Sequence, residues 1–213
     1  TVSTLLMNTP PMLEAHYGIP MCGAVIHAIN TRLDPATIAF QLEHADSQIL
    51  LFDQELSSVI HEVLGLCKVE PLLVCYYDEQ MDTKDSSKDT FLNFDMVMDY
   101  EEFIEQGDQD YQWLMPENEW DAISVGYTSG TTGDPKGVVS HHRGAYLLAQ
   151  GNALVASMPK HSVYLWTLPM FHCNGWCFPW TLSAIIGTHI CLRKVRAESI
   201  WKSIKDHKVS HLC

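Results

Sequence analysis

Tyr127-Thr128-Ser129-Gly130-Thr131-Thr132-Gly133-Asp134-Pro135-Lys136-Gly137, residues 127–137, is the most specific run in this chain. It follows Asp121-Ala122-Ile123-Ser124-Val125-Gly126, an apolar stretch with β-branched residues. It precedes a segment ending at Met158 that reads as a helix with Ser140 as its N-cap. A strand, a glycine-rich turn and a helix together make an anion-binding layout. Gly130 and Gly133 let the backbone approach an anion and offer N–H groups, whereas Thr128, Ser129, Thr131 and Thr132 offer hydroxyl donors. Lys136 adds a mobile positive charge. The run is not a Walker loop, because the fifth residue after Gly130 is Pro135 and Lys136 is followed by Gly137, not by Ser or Thr. It contains no Gly-x-Gly-x-x-Gly, so it is not a dinucleotide fingerprint either.

Outward from this run, strand and helix patterns alternate. Val2 to Met7, Gln48 to Phe52, Pro71 to Tyr76, Val163 to Leu168, Thr188 to Leu192 and Val209 to Cys213 read as strands. Met12 to Ile29 (interrupted near Gly18 and Pro20), Pro35 to Ala45, Gln54 to Leu66, Tyr100 to Gln106, Asn174 to Ile186 and Ala197 to His207 read as helices. Asp78 to Asp95, rich in charge and small polar residues, reads as a surface loop. The alternation implies the α/β class, with mostly parallel sheets flanked by helices.

With 213 residues, 46% of them hydrophobic, the chain is long enough for a sizeable core. No apolar run approaches the roughly 20 residues that span a bilayer, and a soluble, cytoplasmic protein is expected. The seven cysteines are scattered through apolar segments, as in a reducing compartment. Cys173-x-x-x-Cys177 beside His172, and His207-x-x-x-His211 near Cys213, fit no common zinc spacing. Net charge is −13, unevenly divided: residues 1–121 carry 4 Lys and Arg against 23 Asp and Glu, residues 122–213 carry 9 against 3. The overall acidity argues against nucleic acid as a partner, while the basic second half suits a polyphosphate.

The 127–137 run resembles, without a gap, the signature loop of the adenylate-forming (AMP-binding) superfamily. That superfamily includes acyl-CoA synthetases, aryl-CoA ligases, luciferases and peptide-synthetase adenylation domains. Thr167-Leu168-Pro169-Met170-Phe171-His172-Cys173-Asn174-Gly175-Trp176 is similar to the Pro-Met-Phe-His segment of the acyl-CoA synthetase, or fatty-acid-CoA ligase, branch. Asn8-Thr9-Pro10-Pro11-Met12 and Gly18 to Val25 resemble that branch's early region, so the likeness covers essentially the whole chain. It implies part of the large N-terminal domain: residues 1–121 in a first α/β portion, 122–213 in a signature-loop portion, and a C-terminal domain beyond Cys213. Truncation at both ends is expected, since the chain opens and closes inside strand-like runs.

The resemblance also implies a two-step reaction. A carboxylate attacks the α-phosphate of ATP, in the presence of Mg2+, giving an acyl-adenylate and pyrophosphate. The thiol of coenzyme A then attacks the acyl carbon. Thr128, Ser129, Gly130, Thr131, Thr132, Gly133 and Lys136 would hold the nucleotide, with Thr128 in the magnesium shell and Lys136 acting on the β- and γ-phosphates. His172 would lie near the acyl carboxylate and adenylate, and Trp176 aligns with the aromatic residue that gates the acyl tunnel in fatty-acyl synthetases. Expected partners are a carboxylic acid, foremost a fatty acid, with ATP and coenzyme A; a homodimer is compatible. The alternatives are an aryl-CoA ligase, a carrier-protein-loading adenylation domain, or a non-catalytic nucleotide-binding module should the gene end at Cys213. The fragment by itself is expected to be inactive. Arg193, Lys194 and Arg196 either meet coenzyme A phosphates or solvate a strand end.

Overall fold

The structure, a computed structural model, describes residues 1–78, 97–128 and 134–213. In the first part, strands and helices alternate: β1 (Val2–Leu5), α1 (Pro10–Met21), β2 (Ile26–Ala28), α2 (Pro35–His44), β3 (Ile49–Asp53), a 3-10 turn (Gln54–Leu56), α3 (Ser57–Leu66) and β4 (Leu72–Tyr76). Then come β5 (Val97–Asp99), α4 (Tyr100–Glu105), β6 (Ala122–Thr128), β7 (Lys136–His141) and α5 (His142–Val155). The remainder comprises β8 (Val163–Leu165), the single turn α6 (Cys173–Trp176), α7 (Phe178–Ala184), β9 (Thr188–Ile190), α8 (Ala197–His207) and β10 (His211–Leu212). Seven strands form one sheet in the order β5-β4-β3-β1-β2-β6-β7, and β10-β8-β9 form a second. Every pair is parallel except β6 with β7. The mostly parallel α/β class read from the sequence is therefore the observed one.

Strand side chains alternate between the two faces of a sheet, so a sheet buried on both faces needs continuous apolar runs. Leu50, Phe52, Leu73 and Cys75 pack on one face with Ile38 and Leu42 of α2 and Ile60 and Val63 of α3. Leu51 and Val74, between them in sequence, pack on the other face with Met12 and Ile19 of α1, and with Tyr164, Trp166, Phe178 and Leu182. That second core ties the small sheet to the large one. Local signals fix the helix starts: Asp34 accepts from the Thr37 N–H at 3.0 Å, and Pro35 opens α2.

Four readings are corrected. The expected helix Met12 to Ile29 ends at Met21, since Gly23 turns with φ +78° and Ile26–Ala28 becomes a strand between β1 and β6. Residues 136–141 form β7, paired antiparallel with β6, so the helix begins at His142 and its N-cap is His141. The glycine-rich run thus connects two antiparallel strands, and the strand–turn–helix layout does not apply. Asn174 to Ile186 is not one helix: α6 is left-handed and α7 starts at Phe178. Finally, β5 precedes α4 where no strand was expected. The surface loop read at 78–95 lies outside the described residues, apart from Asp78.

Candidate functional site

Thr128 ends β6 and Lys136 opens β7; the two are register partners, and both are exposed. Ser129, Gly130, Thr131, Thr132 and Gly133 lie outside the described residues. The strand before them is anchored from the α2 side. The Tyr127 hydroxyl lies 2.7 Å from His44 Nδ1, and its ring tilts against buried His27 at 5.0 Å between centroids. His27 Nδ1 is 2.8 Å from Ser3 Oγ, and burial lowers its pKa to about 4, so the ring stays neutral at physiological pH. On the far strand, His141 Nδ1 accepts the Gly144 N–H at 2.9 Å to start α5.

His172 and Trp176 come from an unusual turn. Cys173, Asn174, Gly175, Trp176 and Cys177 all have φ between 49° and 62°. Outside glycine, a left-handed residue costs roughly 1–2 kcal/mol, and such strain survives only where the surroundings over-determine it. Several contacts do so here. The Asn174 amide donates to Ser124 Oγ at 2.8 Å, and the Asn152 amide of α5 donates to the Trp176 carbonyl at 2.7 Å. Gly175 N–H donates to the His172 carbonyl at 3.0 Å. Upstream, Asn8 holds the approach to the turn: its amide donates to the Trp166 and Leu168 carbonyls at 3.0 and 2.8 Å, and its Oδ1 accepts the Met170 N–H at 2.9 Å. His172 and Trp176 are exposed, with ring centroids 6.3 Å apart in an edge-on arrangement.

The floor of the turn is Trp166, fully buried, donating from Nε1 to His189 Nδ1 at 3.1 Å. A Cβ on Gly175 would stand 2.7 and 2.9 Å from this indole, and Gly175 has φ +56°. Gly175→Ala is expected to destabilise the protein by about 2–4 kcal/mol, from overpacking and left-handed strain together. An unchanged melting temperature would count against the turn being this tightly set.

The candidate residues on β6 and β7 and the His172 turn are linked through Ser124. Ser124, Gly126 and Thr128 point the same way by strand alternation, and Lys136 lies opposite Thr128. Ser124 receives the bond from Asn174, so the His172 turn meets at Ser124 the face towards which Thr128 points. Thr128 is four residues from Ser124, about 13 Å along the strand at ~3.3 Å per residue.

Arg193 is placed elsewhere. Its guanidinium meets fully buried Asp53 at 2.5 Å, Asp78 at 3.0 Å and Glu55 at 3.4 Å, while Lys194 meets Glu55 at 3.1 Å. Arg143 pairs with Glu119 at 2.7 Å. Part of the basic surplus of the second half is thus spent on acids of the first half. A cleft of about 620 Å3 opens beside Asn8 and Arg193, lined also by Arg196 and Lys202. Thr128, Lys136, His172 and Trp176 are not among its walls.

The AMP-binding enzyme family matches residues 1–213. The chain is 44% identical over 220 residues to an acetate/butyrate–CoA ligase of Arabidopsis thaliana described as peroxisomal, covering 100% of this chain and 38% of the relative. It is 44% identical over 223 residues to an acetate–CoA ligase of Humulus lupulus, again covering 100% of this chain and 38% of the relative. The chain therefore spans well under half the length of these curated relatives. Among solved structures it is similar to the o-succinylbenzoate–CoA synthetase of Bacillus subtilis in complex with AMP, with a TM-score of 0.75, 22% identity, and coverage of 99% of this chain and 38% of that one. A putative long-chain-fatty-acid CoA ligase of Rhodopseudomonas palustris gives a TM-score of 0.77 at 19% identity, covering 99% of this chain and 49% of that one. These structural likenesses bear on the fold.

Proposed function

The chain belongs to the AMP-binding enzyme family, and on that premise we propose that the complete protein activates an aliphatic carboxylic acid with ATP and passes the acyl group to coenzyme A. In the first step a carboxylate oxygen bonds to the α-phosphorus and the bond to pyrophosphate breaks. In the second, the coenzyme A sulfur bonds to the acyl carbon, AMP leaves, and the thiol proton is lost to solvent or base. The observation that carries this reading is the link through Ser124 between Thr128, Lys136 and the His172 turn. In this reading Thr128 and Lys136 serve the phosphates, and the turn carrying His172 and Trp176, bonded to the same strand at Ser124, serves the acyl group.

Catalysis of phosphoryl chemistry rests on positioning and on charge stabilisation. In this reading Lys136, exposed and without an ion-pair partner among the described residues, offers its ammonium to the β- and γ-phosphates. Ser129, Gly130, Thr131, Thr132 and Gly133 are assigned phosphate contacts by residue type, through hydroxyls and backbone N–H groups. Thr128 carries an exposed hydroxyl at the strand end. That is a hard oxygen of the kind Mg2+ accepts alongside phosphates and water. When bound, Mg2+ supplies countercharge to the phosphates. His172 donates or accepts a hydrogen bond at the carboxylate, and Trp176 forms an apolar wall for the acyl chain.

The names of the relatives favour short aliphatic acids, since three are ligases for acetate and butyrate, acetate, and 2-methylpropanoate. Fatty acids of greater length are the next class. The seven cysteines are free thiols, which suits a reducing compartment, and the peroxisomal relative widens the cytoplasmic expectation to that organelle. The test is pyrophosphate release by the complete protein with ATP and a panel of acetate, butyrate, a long-chain fatty acid and an aromatic acid. Release should depend on an aliphatic acid. Stimulation by the aromatic acid alone, or by none, would overturn the proposal.

A further inference from the structure

Asn174 is a side chain of the left-handed turn that hydrogen-bonds to β6. Its Nδ2 donates to Ser124 Oγ at 2.8 Å; Ser124 is buried, and β6 runs on from it to Thr128. Asn174 itself has φ 53° and ψ 44°, a conformation asparagine tolerates better than most side chains. His172 lies two residues before it and Trp176 two after. A shift of the turn over the sheet would move both relative to Thr128 and Lys136. The remaining supports hold other parts of the turn: Asn152 holds the Trp176 carbonyl from α5, and Gly175 rests on Trp166.

We infer that Asn174 is a positioning residue for adenylate formation, setting the acyl side of the site against the phosphate side through its bond to Ser124. This inference rests on the acid-activating reading above. Asn174 touches no reacting atom in this account; it acts through the turn. Small errors of alignment between reacting groups can cost about 100-fold in rate, so a single hydrogen bond at this junction has leverage far beyond its own strength.

The decisive variant is Asn174→Gly in the complete protein, because glycine keeps the left-handed backbone at no steric cost while deleting the amide. Ser124→Ala removes the same bond from the other element. Each is expected to lower the kcat of carboxylate-dependent pyrophosphate release by about 10- to 100-fold. The KM for the acid should rise, the KM for ATP should change little, and the melting temperature should stay within a few degrees. The double variant should be no worse than the poorer single one, since both delete one interaction. If the unsubstituted protein releases pyrophosphate and both single variants match it, the positioning inference fails while the acid-activating reading stands. Additive losses in the double variant would also overturn it. If the unsubstituted protein releases no pyrophosphate with any acid, the acid-activating reading fails and takes this inference with it.

Discussion

Lys136→Ala in the complete protein is expected to cut carboxylate-dependent pyrophosphate release by about 100- to 1,000-fold, the usual loss when one preorganised charge-stabilising donor is removed. Lys136 opens the edge strand β7, its side chain is exposed, and no ion pair holds it among the described residues. Removing it costs the fold little, because exposed substitutions away from caps and networks usually fall within ~0.5 kcal/mol. Loss of rate with an unchanged melting temperature would therefore isolate chemistry from stability. Lys136→Arg keeps the charge but replaces a compact ammonium with a planar fork, and partial recovery is expected from it. Turnover equal to that of the unsubstituted protein in Lys136→Ala would remove this residue from the mechanism. The register of β6 with β7 adds a geometric reason for the effect. Lys136 sits opposite Thr128, so the charge enters the site from the strand that flanks the glycine-rich run on its far side, not from a helix end.

That last point was hidden in the sequence, for an identifiable reason. Parallel strands buried on both faces announce themselves as apolar runs, and β1, β3 and β4 were legible because Leu50, Leu51 and Phe52, or Leu73, Val74 and Cys75, must satisfy two cores at once. β7 carries no such demand: Val138 and Val139 are 51% and 62% exposed, and the strand exists through its pairing with β6. A local reading carried the helix of α5 backwards through it, since no proline stands at the His141–His142 boundary and His141 caps through an imidazole, not the usual hydroxyl or carboxylate. β2 was missed because three residues are too few to show a period. Residue type singles out Thr128 and Lys136 as candidates, and the family resemblance singles out His172 and Trp176. Neither singles out Asn8, Ser124, Asn152 or Asn174, whose bonds span from 24 to 162 positions in sequence.

The charge division of the sequence likewise acquires its meaning from a distant contact, and Arg193 is where it can be measured. Arg193, three residues past β9, joins the small sheet to the C-terminal ends of β3 and β4 through Asp53 and Asp78. The Asp53 side chain is fully buried and that of Arg193 is 15% exposed. Removing one member of such a pair leaves an uncompensated buried charge, at a typical cost of about 3–5 kcal/mol. Arg193→Met, which keeps the packing volume of the stem, is expected to lose about that much stability at neutral pH. The pH dependence follows from Asp53. Burial already pushes its carboxyl above the ordinary value, against the opposing pull of Arg193, and without the guanidinium it rises further. A carboxyl with a raised folded-state value contributes stability while it is protonated and loses that contribution as pH climbs through the value. Arg193→Met should therefore lie nearest the unsubstituted protein in mild acid and fall progressively behind as pH rises to neutrality. Adding Asp53→Asn should recover part of the loss at neutral pH, because no charge is then buried at position 53. Melting curves from pH 5 to 8 for the three proteins would decide it. A constant gap across that range would mean that the cost comes from lost packing of the long arginine stem and that Asp53 carries no unpaired charge.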